Sequence, residues 1–172
     1  MSYSIRRLGR QDAAAYRAIR LEALRDHPEA FLSDAAGFAE KSLADIEAML
    51  ATLTVFGAEL ADGTLGGINA YLRNDGPKER HRGWMLQVYV RPGQRGSGMA
   101  RALCEHLLAH ARGEVLQVHL GVWSENRAAI ALYEKLGFEI YGTEPRYLFV
   151  NNRFCDEHLM VRFLDGAPGV NQ

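Results

Sequence analysis

The chain has 172 residues, of which 48% are hydrophobic and 24% are charged, the composition of an ordinary globular protein. This length predicts one domain that is large enough to bury a hydrophobic core without disulfides or a structural metal. Because 20 Lys and Arg residues stand against 21 Asp and Glu residues, the net charge of −1 argues against a nucleic-acid or anionic-membrane partner.

Cysteine content and the N-terminal segment exclude further classes. Cys104 and Cys155 are too few for a disulfide framework or a four-thiolate zinc site. No pair among His81, His119 and His158 has metal-ligand spacing on one helix, so we expect no metal. The first 16 residues contain no apolar stretch of signal-peptide length, and no later segment approaches a membrane span. We therefore expect a cytoplasmic protein.

The first half of the chain predicts two helices and a hairpin after an initial strand. Asp12 is a candidate N-cap, and Ser42 with Asp45 has the spacing of a capping box. Asp62-Gly63-Thr64 has the composition of a hairpin turn. The predicted elements are a strand over 3–8, a helix over 13–26, a helix from Ser42, and strands over 54–61 and 65–73.

The second half predicts one strand–helix–strand unit, a further helix and a hairpin. Strict alternation predicts that one face of a strand carries Trp84, Leu86, Val88 and Val90, and that the other carries Met85, Gln87 and Tyr89. Ser124 is the candidate N-cap of the last helix. The predicted elements are a strand over 84–90, a helix from Gly98, a strand over 116–122, a helix closed by Gly137, and strands over 138–150 and 154–163 joined at Asn151-Asn152.

This order predicts a single α/β domain with a mixed sheet over residues 1–165, followed by a frayed tail over 166–172. The strands over 84–90 and 116–122 form a parallel pair with a right-handed crossover. We expect these two strands to be neighbours and to diverge beyond the glycine-rich turn that follows the first of them.

That turn has the sequence Arg95-Gly96-Ser97-Gly98-Met99-Ala100 and opens a helix. Backbone N–H groups and the dipole at a helix N-terminus favour phosphate oxygens, and Gly96 and Gly98 let the backbone approach them closely. The turn lacks the lysine of a P-loop, and Arg101 stands where a dinucleotide-binding fingerprint needs its third glycine. We therefore expect an anion site of a third kind, the alternative being a plain strand-to-helix connection.

Two segments together resemble the GCN5-related N-acetyltransferase (GNAT) superfamily. Residues 95–100 resemble its Arg/Gln-x-x-Gly-x-Gly/Ala pyrophosphate loop, and Asn126 to Phe138 resemble its Asn-x-x-Ala-x-x-Leu-Tyr-x-x-x-Gly-Phe signature. The element order from Tyr3 to about Phe163 also matches the family's fold. The resemblance implies the acyl-CoA N-acyltransferase fold and acetyl-CoA as the acyl donor.

The resemblance also implies how the donor is held. Its pyrophosphate would bind the backbone N–H groups of Arg95, Gly96, Ser97, Gly98, Met99 and Ala100. Its pantetheine arm would pair like an additional strand with the edge formed by Val88, Tyr89 and Val90.

Asn126 and Tyr133 are seven residues apart, which places them on one face of a helix. Periodicity alone makes Tyr133 a core aromatic, whereas the resemblance implies the general acid that protonates the departing CoA thiolate. The resemblance likewise implies that Asn126 binds the donor, and the alternative is a helix cap.

No general base is identified. Gln87 occupies the strand where many relatives carry a carboxylate, so the candidates are Glu22, Asp156 and Glu157 acting through water, or solvated surface carboxylates. Three histidines could titrate near neutral pH and so take part in proton transfer: His81, His119 and His158. Cys104 is expected to be a buried small hydrophobe, and Trp123 either walls the acceptor pocket or packs in the core.

Residues 22–47 contain seven carboxylates and only two bases, Arg25 and Lys41. This segment is either a solvated face or a field that attracts a cationic amine. The function expected from the resemblance is transfer of acetyl from acetyl-CoA to a primary amine of a small molecule in a ternary complex. The alternatives are a protein N-terminal or lysine amine as acceptor and an acyl-CoA sensor without chemistry; a homodimer is compatible with each.

Overall fold

A computed structural model describes residues 2–166, so most of the predicted tail lies outside the described residues. The described part contains seven strands and five α-helices: β1 (Tyr3–Arg7), α1 (Ala13–Asp26), α2 (Ala35–Ala39), α3 (Leu43–Thr52), β2 (Thr54–Leu60), β3 (Leu65–Arg73), β4 (Arg82–Val90), α4 (Met99–Ala111), β5 (Gln117–Trp123), α5 (Arg127–Lys135), β6 (Glu139–Val150) and β7 (Arg153–Phe163). Helix α2 was not predicted. No helix in residues 2–166 is long and apolar enough to span a membrane.

The strands form one mixed sheet in the order β1-β2-β3-β4-β5-β7-β6. Apolar side chains of α4 and α5 pack on one face of this sheet, and those of α1, α2 and α3 pack on the other. The architecture is therefore the predicted α/β domain with a mixed sheet, and the helices form a layer on each face of that sheet.

Strands β4 and β5 are parallel neighbours for only three residue pairs. Arg82, Gly83 and Trp84 pair with Gln117, Val118 and His119. Beyond the Trp84–His119 pair, β4 continues to pair with β3 and β5 with β7, so the two strands diverge. The prediction that they are neighbours and then separate is confirmed.

A β-bulge interrupts β4 just where this separation begins. Ile68 of β3 pairs with Tyr89, but Ala70 pairs with Leu86, so β4 holds one extra residue. Gln87 adopts a left-handed φ of 58° within the bulge, and a bulge of this kind shifts the alternation of the strand by one residue.

The prediction that Trp84, Leu86, Val88 and Val90 share one face is consequently wrong. Leu86, before the bulge, packs on the α1 side, whereas Val88 and Val90, after it, pack on the α4 side. After the bulge, each side chain of β4 therefore faces the helical layer opposite to the one that it would face in a regular strand.

Two predicted caps also differ from the structure. Asp12 precedes α1 without a side-chain cap bond, because its carboxylate instead accepts from Arg6 and from the Gly9 amide. The N-cap of α5 is Asn126, whose side chain accepts from the Ala129 amide at 3.2 Å, rather than Ser124. The Ser42–Asp45 capping box is confirmed.

Candidate active site

The gap between β4 and β5 opens toward the glycine-rich turn that precedes α4. On the far edge, Tyr89 and Val90 already pair with Ile68 and Gly67 of β3. The edge of β4 that faces β5 beyond Trp84 has no strand partner among residues 2–166. Its backbone groups at Val88 are therefore available to an extended ligand. Those of Tyr89 face β3, because the Arg91 amide two residues later donates to the Gly66 carbonyl.

The glycines of the turn need left-handed backbone. Gly96 has a φ of +76° and Gly98, the N-cap of α4, a φ of +84°. A Cβ added to either one would meet no atom within 4 Å. The turn therefore borders open space at the N-terminus of a 13-residue helix, and this fits a bound pyrophosphate.

The Arg95 side chain is directed at the protein rather than at that space. Its Nε donates to the carbonyl of Val90 at 3.1 Å, and its Nη2 lies 2.9 Å from Nε2 of His27. Arg95 thus fixes the turn against the ends of β4 and α1, and its backbone N–H donates to the carbonyl of Pro92 at 3.2 Å.

Glu22, a candidate base, is occupied by structural partners. Its Oε1 accepts from the Tyr89 hydroxyl at 3.0 Å, and its Oε2 accepts from Arg91 Nε at 2.9 Å. Arg91 also donates to the carbonyl of Leu65. This network ties α1 to the end of β4, so the structure argues against Glu22 as a proton acceptor.

Tyr133 lies in the core between α4 and α5. It is 7% exposed and packs edge-on against Phe138 at 6.0 Å between ring centroids. Burial, and then the neighbouring Cys104, raise the pKa of its hydroxyl. Tyr133 belongs to the same hydrophobic cluster as Val88 and Val90 of β4. The phenol therefore lies on the same side of the sheet as the side chains of these two residues.

Asn126 stands just before α5 rather than within it, so it does not share a helical face with Tyr133 in the way the spacing predicted. Its side-chain oxygen caps the helix. The amide N–H₂ of the same side chain is not needed for this cap and remains the group with which Asn126 could bind a donor.

Glu157 is the carboxylate with the most altered proton affinity. It lies on β7 opposite Trp123 of β5, and a Cβ added to Gly121 would overlap its carboxylate. The carboxylate therefore extends across β5, which is possible because Gly121 has no side chain. Burial, and then Glu144, raise the pKa of Glu157 to about 7, a suitable value for a base at neutral pH.

A small enclosed recess adjoins Glu157. Its volume is about 10 Å³, and it is lined by Glu29, Ala30, Trp123, Tyr147, Leu148, Cys155, Asp156 and Glu157. Trp123 thus lies in the wall of this recess, and its role at an acceptor pocket stays a prediction. Glu29 and Ala30 belong to a single 3-10 turn, Pro28–Ala30, that follows α1.

The remaining candidates for proton transfer are less favourable. Desolvation, then Arg82 and His81, lower the pKa of His119 to about 4, so the prediction that His119 acts near neutral pH is wrong. Asp156 is exposed and accepts from the Arg146 amide at 2.8 Å. His158 Nδ1 lies 2.8 Å from the Thr143 hydroxyl.

The acidic segment over residues 22–47 is largely engaged in local structure. Asp34 caps α2 and Asp45 completes the capping box of α3, while Glu22 is paired with Arg91. Of the carboxylates in this segment, only Glu29 lines the recess. The structure therefore favours the solvated and structural interpretation of the segment.

Sequence reasoning missed two residues on α1. The Tyr16 hydroxyl donates to Oε1 of Gln87 at 2.7 Å, so α1 contacts the bulge directly. One turn later, the guanidinium of Arg20 lies over the Phe31 ring at 4.5 Å, and Arg20 is only 4% exposed. The i, i+4 spacing of Tyr16 and Arg20 was the available signal.

A larger cavity lies elsewhere, between α4 and α5 on the outer surface. Its volume is about 420 Å³, and four cationic side chains and one acid are among its lining residues: Arg101, Arg112, Lys135, Arg162 and Glu105. It includes no residue of the glycine turn or of the recess, so size alone does not locate the candidate site. No group of three or more His, Cys, Asp or Glu side chains in residues 2–166 is placed to hold a metal ion.

Solved structures share this architecture. The acetyltransferase of GNAT family from Streptococcus pneumoniae matches with a TM-score of 0.84 at 24% identity, over 95% of this chain and 99% of that one. The structure of yncA from Salmonella typhimurium, with its cofactor acetyl-CoA, matches with a TM-score of 0.79 at 27% identity over 99% of both chains.

Curated relatives match over shorter regions. An L-methionine sulfoximine/L-methionine sulfone acetyltransferase of Pseudomonas aeruginosa is 38% identical over 91 residues, 52% of this chain and 53% of the relative. The N-alpha-acetyltransferase RimI of Mycobacterium tuberculosis is 44% identical over 75 residues, 44% of this chain and 45% of the relative. The chain thus matches about half the length of these relatives.

The family model described as Acetyltransferase (GNAT) family matches residues 16–138. This span extends from Tyr16 on α1 to Phe138 at the end of the second signature, and it contains the bulge, the glycine turn and Tyr133. With a match over most of its length and the same fold as solved members, the chain belongs to the GNAT family of acetyltransferases.

Proposed function

We propose that this protein is an acetyl-CoA-dependent N-acetyltransferase that acetylates a primary amine of a small molecule. The observation that carries the proposal is the position of Glu157. Its carboxylate lies across β5 beside a small enclosed recess, and its pKa is raised to about 7.

The donor's place follows from the unpaired edge of β4 and the turn before α4. The backbone from Arg95 to Ala100 would hold the pyrophosphate at the helix N-terminus, and Asn126 would add its side-chain amide. The edge over residues 88–90 would bind the pantetheine arm through main-chain hydrogen bonds. The carbonyl of Val90 already accepts from Arg95 and the backbone of Tyr89 faces β3, which leaves the backbone groups of Val88 and the amide of Val90 as the main pairing groups.

Two residues would move protons. Glu157, directly or through water, would accept the proton of the acceptor ammonium, which makes the amine nucleophilic. As the amine nitrogen forms its bond to the acetyl carbon, the bond from that carbon to sulfur breaks. Tyr133 would donate its proton to the departing thiolate, since a thiolate is poorly stabilised where water is excluded. The proton that the nitrogen loses on becoming an amide would then restore the Tyr133 phenol.

The recess beside Glu157, with a volume of about 10 Å³, has room for roughly one water molecule, which could relay the proton of the acceptor amine to Glu157. Glu29 and Ala30 of the turn Pro28–Ala30 line it, together with Trp123 and Tyr147. Of the curated relatives, one acts on L-methionine sulfoximine and another is an N-alpha-acetyltransferase. A protein N-terminal or lysine amine is therefore the second candidate acceptor.

An acetylation assay with free CoA thiol as the readout tests this proposal. The panel comprises amino acids, polyamines, aminoglycosides, and peptides that carry a free N-terminus or a lysine. Turnover of small amines at least 10-fold above peptides, measured as kcat/KM, supports the proposal. Peptide acetylation above every small amine would establish the second candidate, and acetyl-CoA binding without turnover of any amine would indicate a sensor.

A further inference from the structure

We propose that Arg20 binds a carboxylate of the acceptor, so that the preferred substrates are amines that also carry a carboxylate, as amino acids do. This inference rests on the proposed function and names its substrate class. Its basis is a buried guanidinium that lacks an anionic partner and lies between the β4 bulge and the recess.

Arg20 is placed by contacts on both sides. Tyr16, four residues earlier on α1, reaches the bulge through Gln87. On the other side, the guanidinium lies over Phe31, and Phe31 directly follows the turn whose Glu29 and Ala30 line the recess. Arg20 therefore lies on α1 between the residue that contacts the bulge and the segment that borders the recess.

The charge of Arg20 is not neutralised by the protein. Its Nη1 is buried and has no hydrogen-bond partner. Burial lowers the pKa of the guanidinium, and among residues 2–166 the group that counters this effect is the Tyr16 hydroxyl, not a carboxylate. A buried cation without an anion destabilises a folded protein, so the position is understandable where a ligand supplies the anion.

The acceptor is a better source of that anion than the donor. The phosphates of acetyl-CoA are expected at the glycine turn, and Arg95 contacts His27 there, beyond the last turn of α1. Arg20 lies seven residues before His27, about 10 Å along the helix axis. A planar guanidinium binds a carboxylate with two parallel hydrogen bonds. Because the Arg20 guanidinium lies over the Phe31 ring, this ring would have to move for a carboxylate to reach the guanidinium.

The test compares three variants: Arg20→Met removes the charge, Arg20→Lys keeps the charge without the planar donor pair, and Arg25→Met is a control at an exposed position of α1. Each protein is assayed with L-amino acids and with the corresponding carboxamides, which keep the amine and lack the carboxylate. We expect the wild type to favour the acids by about 10- to 100-fold in kcat/KM. Arg20→Met should lose this preference, and Arg25→Met should keep it with an unchanged KM for acetyl-CoA.

Melting temperatures provide a readout that does not depend on turnover. Without ligand, Arg20→Met should melt at or above the wild-type temperature, because it removes an unpaired buried charge. Acids of the panel should raise the melting temperature of the wild type and not that of Arg20→Met.

If no amine of the panel is acetylated, the proposed acceptor class fails, and the melting shifts alone decide the role of Arg20. Wild-type preference for the carboxamides, an acid-induced shift that persists in Arg20→Met, or no shift in the wild type would overturn the inference. If Arg20→Met does not fold, the inference would also be overturned by an Arg20→Lys variant whose ratio of acid to carboxamide turnover equals that of the wild type.

Discussion

The hydroxyl of Tyr16 on α1 donates a 2.7 Å hydrogen bond to the side-chain oxygen of Gln87, the residue that holds the left-handed backbone of the β4 bulge. Tyr16 is fully buried. A non-glycine residue in this conformation costs on the order of 1–3 kcal/mol, so its side-chain contact to α1 helps to keep the bulge in place. The divergence of β4 from β5 is thereby linked to the first helix.

Tyr16→Phe should lower the free energy of unfolding by about 1 kcal/mol, because it leaves the amide oxygen of Gln87 without its donor in a half-buried site. Urea denaturation measures the change. Tyr3→Phe, at the start of β1, is the control and should be close to neutral. Equal stabilities of wild type and Tyr16→Phe would show that the hydrogen bond does not support the bulge.

Gln87→Gly should be more stable than Gln87→Ala by about 1 kcal/mol. Both variants lose the contact to Tyr16, but only alanine retains the penalty of a φ of 58°. The comparison by chemical denaturation therefore isolates the backbone conformation. An alanine variant at least as stable as the glycine variant would exclude a left-handed residue 87 in solution.

Gly98→Val should weaken acetyl-CoA binding by more than Arg95→Ala does. Valine is strained at a φ of +84° and would project into the space expected for the phosphates, whereas the Arg95 side chain contacts Val90 and His27. Calorimetric titration gives both affinities. Gly93→Val, in the same connection but without left-handed φ, is the control; the reverse order of Gly98→Val and Arg95→Ala would contradict a backbone-held pyrophosphate.

Tyr133→Phe should reduce kcat by about 100- to 10,000-fold while folding and acetyl-CoA affinity stay near wild type. Phenylalanine keeps the ring contact to Phe138 and removes only the proton donor. Steady-state kinetics, calorimetry and thermal melting separate these effects. Unchanged turnover would mean that another group or water protonates the thiolate, and a large loss of melting temperature would mean that the hydroxyl is structural.

The pH profile of kcat/KM should fall below an apparent pKa of about 7, since Glu157 must be ionised to accept a proton. Glu157→Gln should remove this acidic limb of the profile and reduce activity at every pH, whereas Asp156→Asn should retain the limb.

The stability of the protein should fall with rising pH over the range in which its activity rises. A carboxyl whose folded-state pKa is raised from 4.5 to about 7 destabilises the fold progressively as the pH rises between these values, so Glu157→Gln should gain stability relative to wild type above pH 7. A profile unaffected by Glu157→Gln would remove Glu157 as the base.

Local signals were sufficient for much of the site. The sequence from Arg95 to Ala100 predicted a glycine-rich turn at a helix start, and in that turn Gly96 and Gly98 adopt left-handed backbone. The hairpin at Asn151-Asn152 was equally local, and both residues have positive φ. Such features are determined by a few neighbouring residues, so they can be inferred without tertiary structure.

Features that depend on packing between distant residues were not predictable in this way. Nothing in the residues around Gln87 marks a bulge, because the extra residue is defined by register against β3. The burial of Arg20 depends on Phe31 folding back over α1. Likewise, the raised pKa of Glu157 requires Gly121 on another strand to admit the carboxylate.

The three-pair contact between β4 and β5 places an open sheet edge inside the molecule rather than at its rim. Exposed edges normally invite pairing with other chains, but here the flanking layers of helices limit access to something as narrow as a single extended chain. Amide hydrogens along β4 after Trp84 and along the facing edge of β5 should therefore exchange rapidly in the free protein. Acetyl-CoA should slow their exchange by joining the two halves of the sheet, so that the substrate serves as a missing strand of the fold.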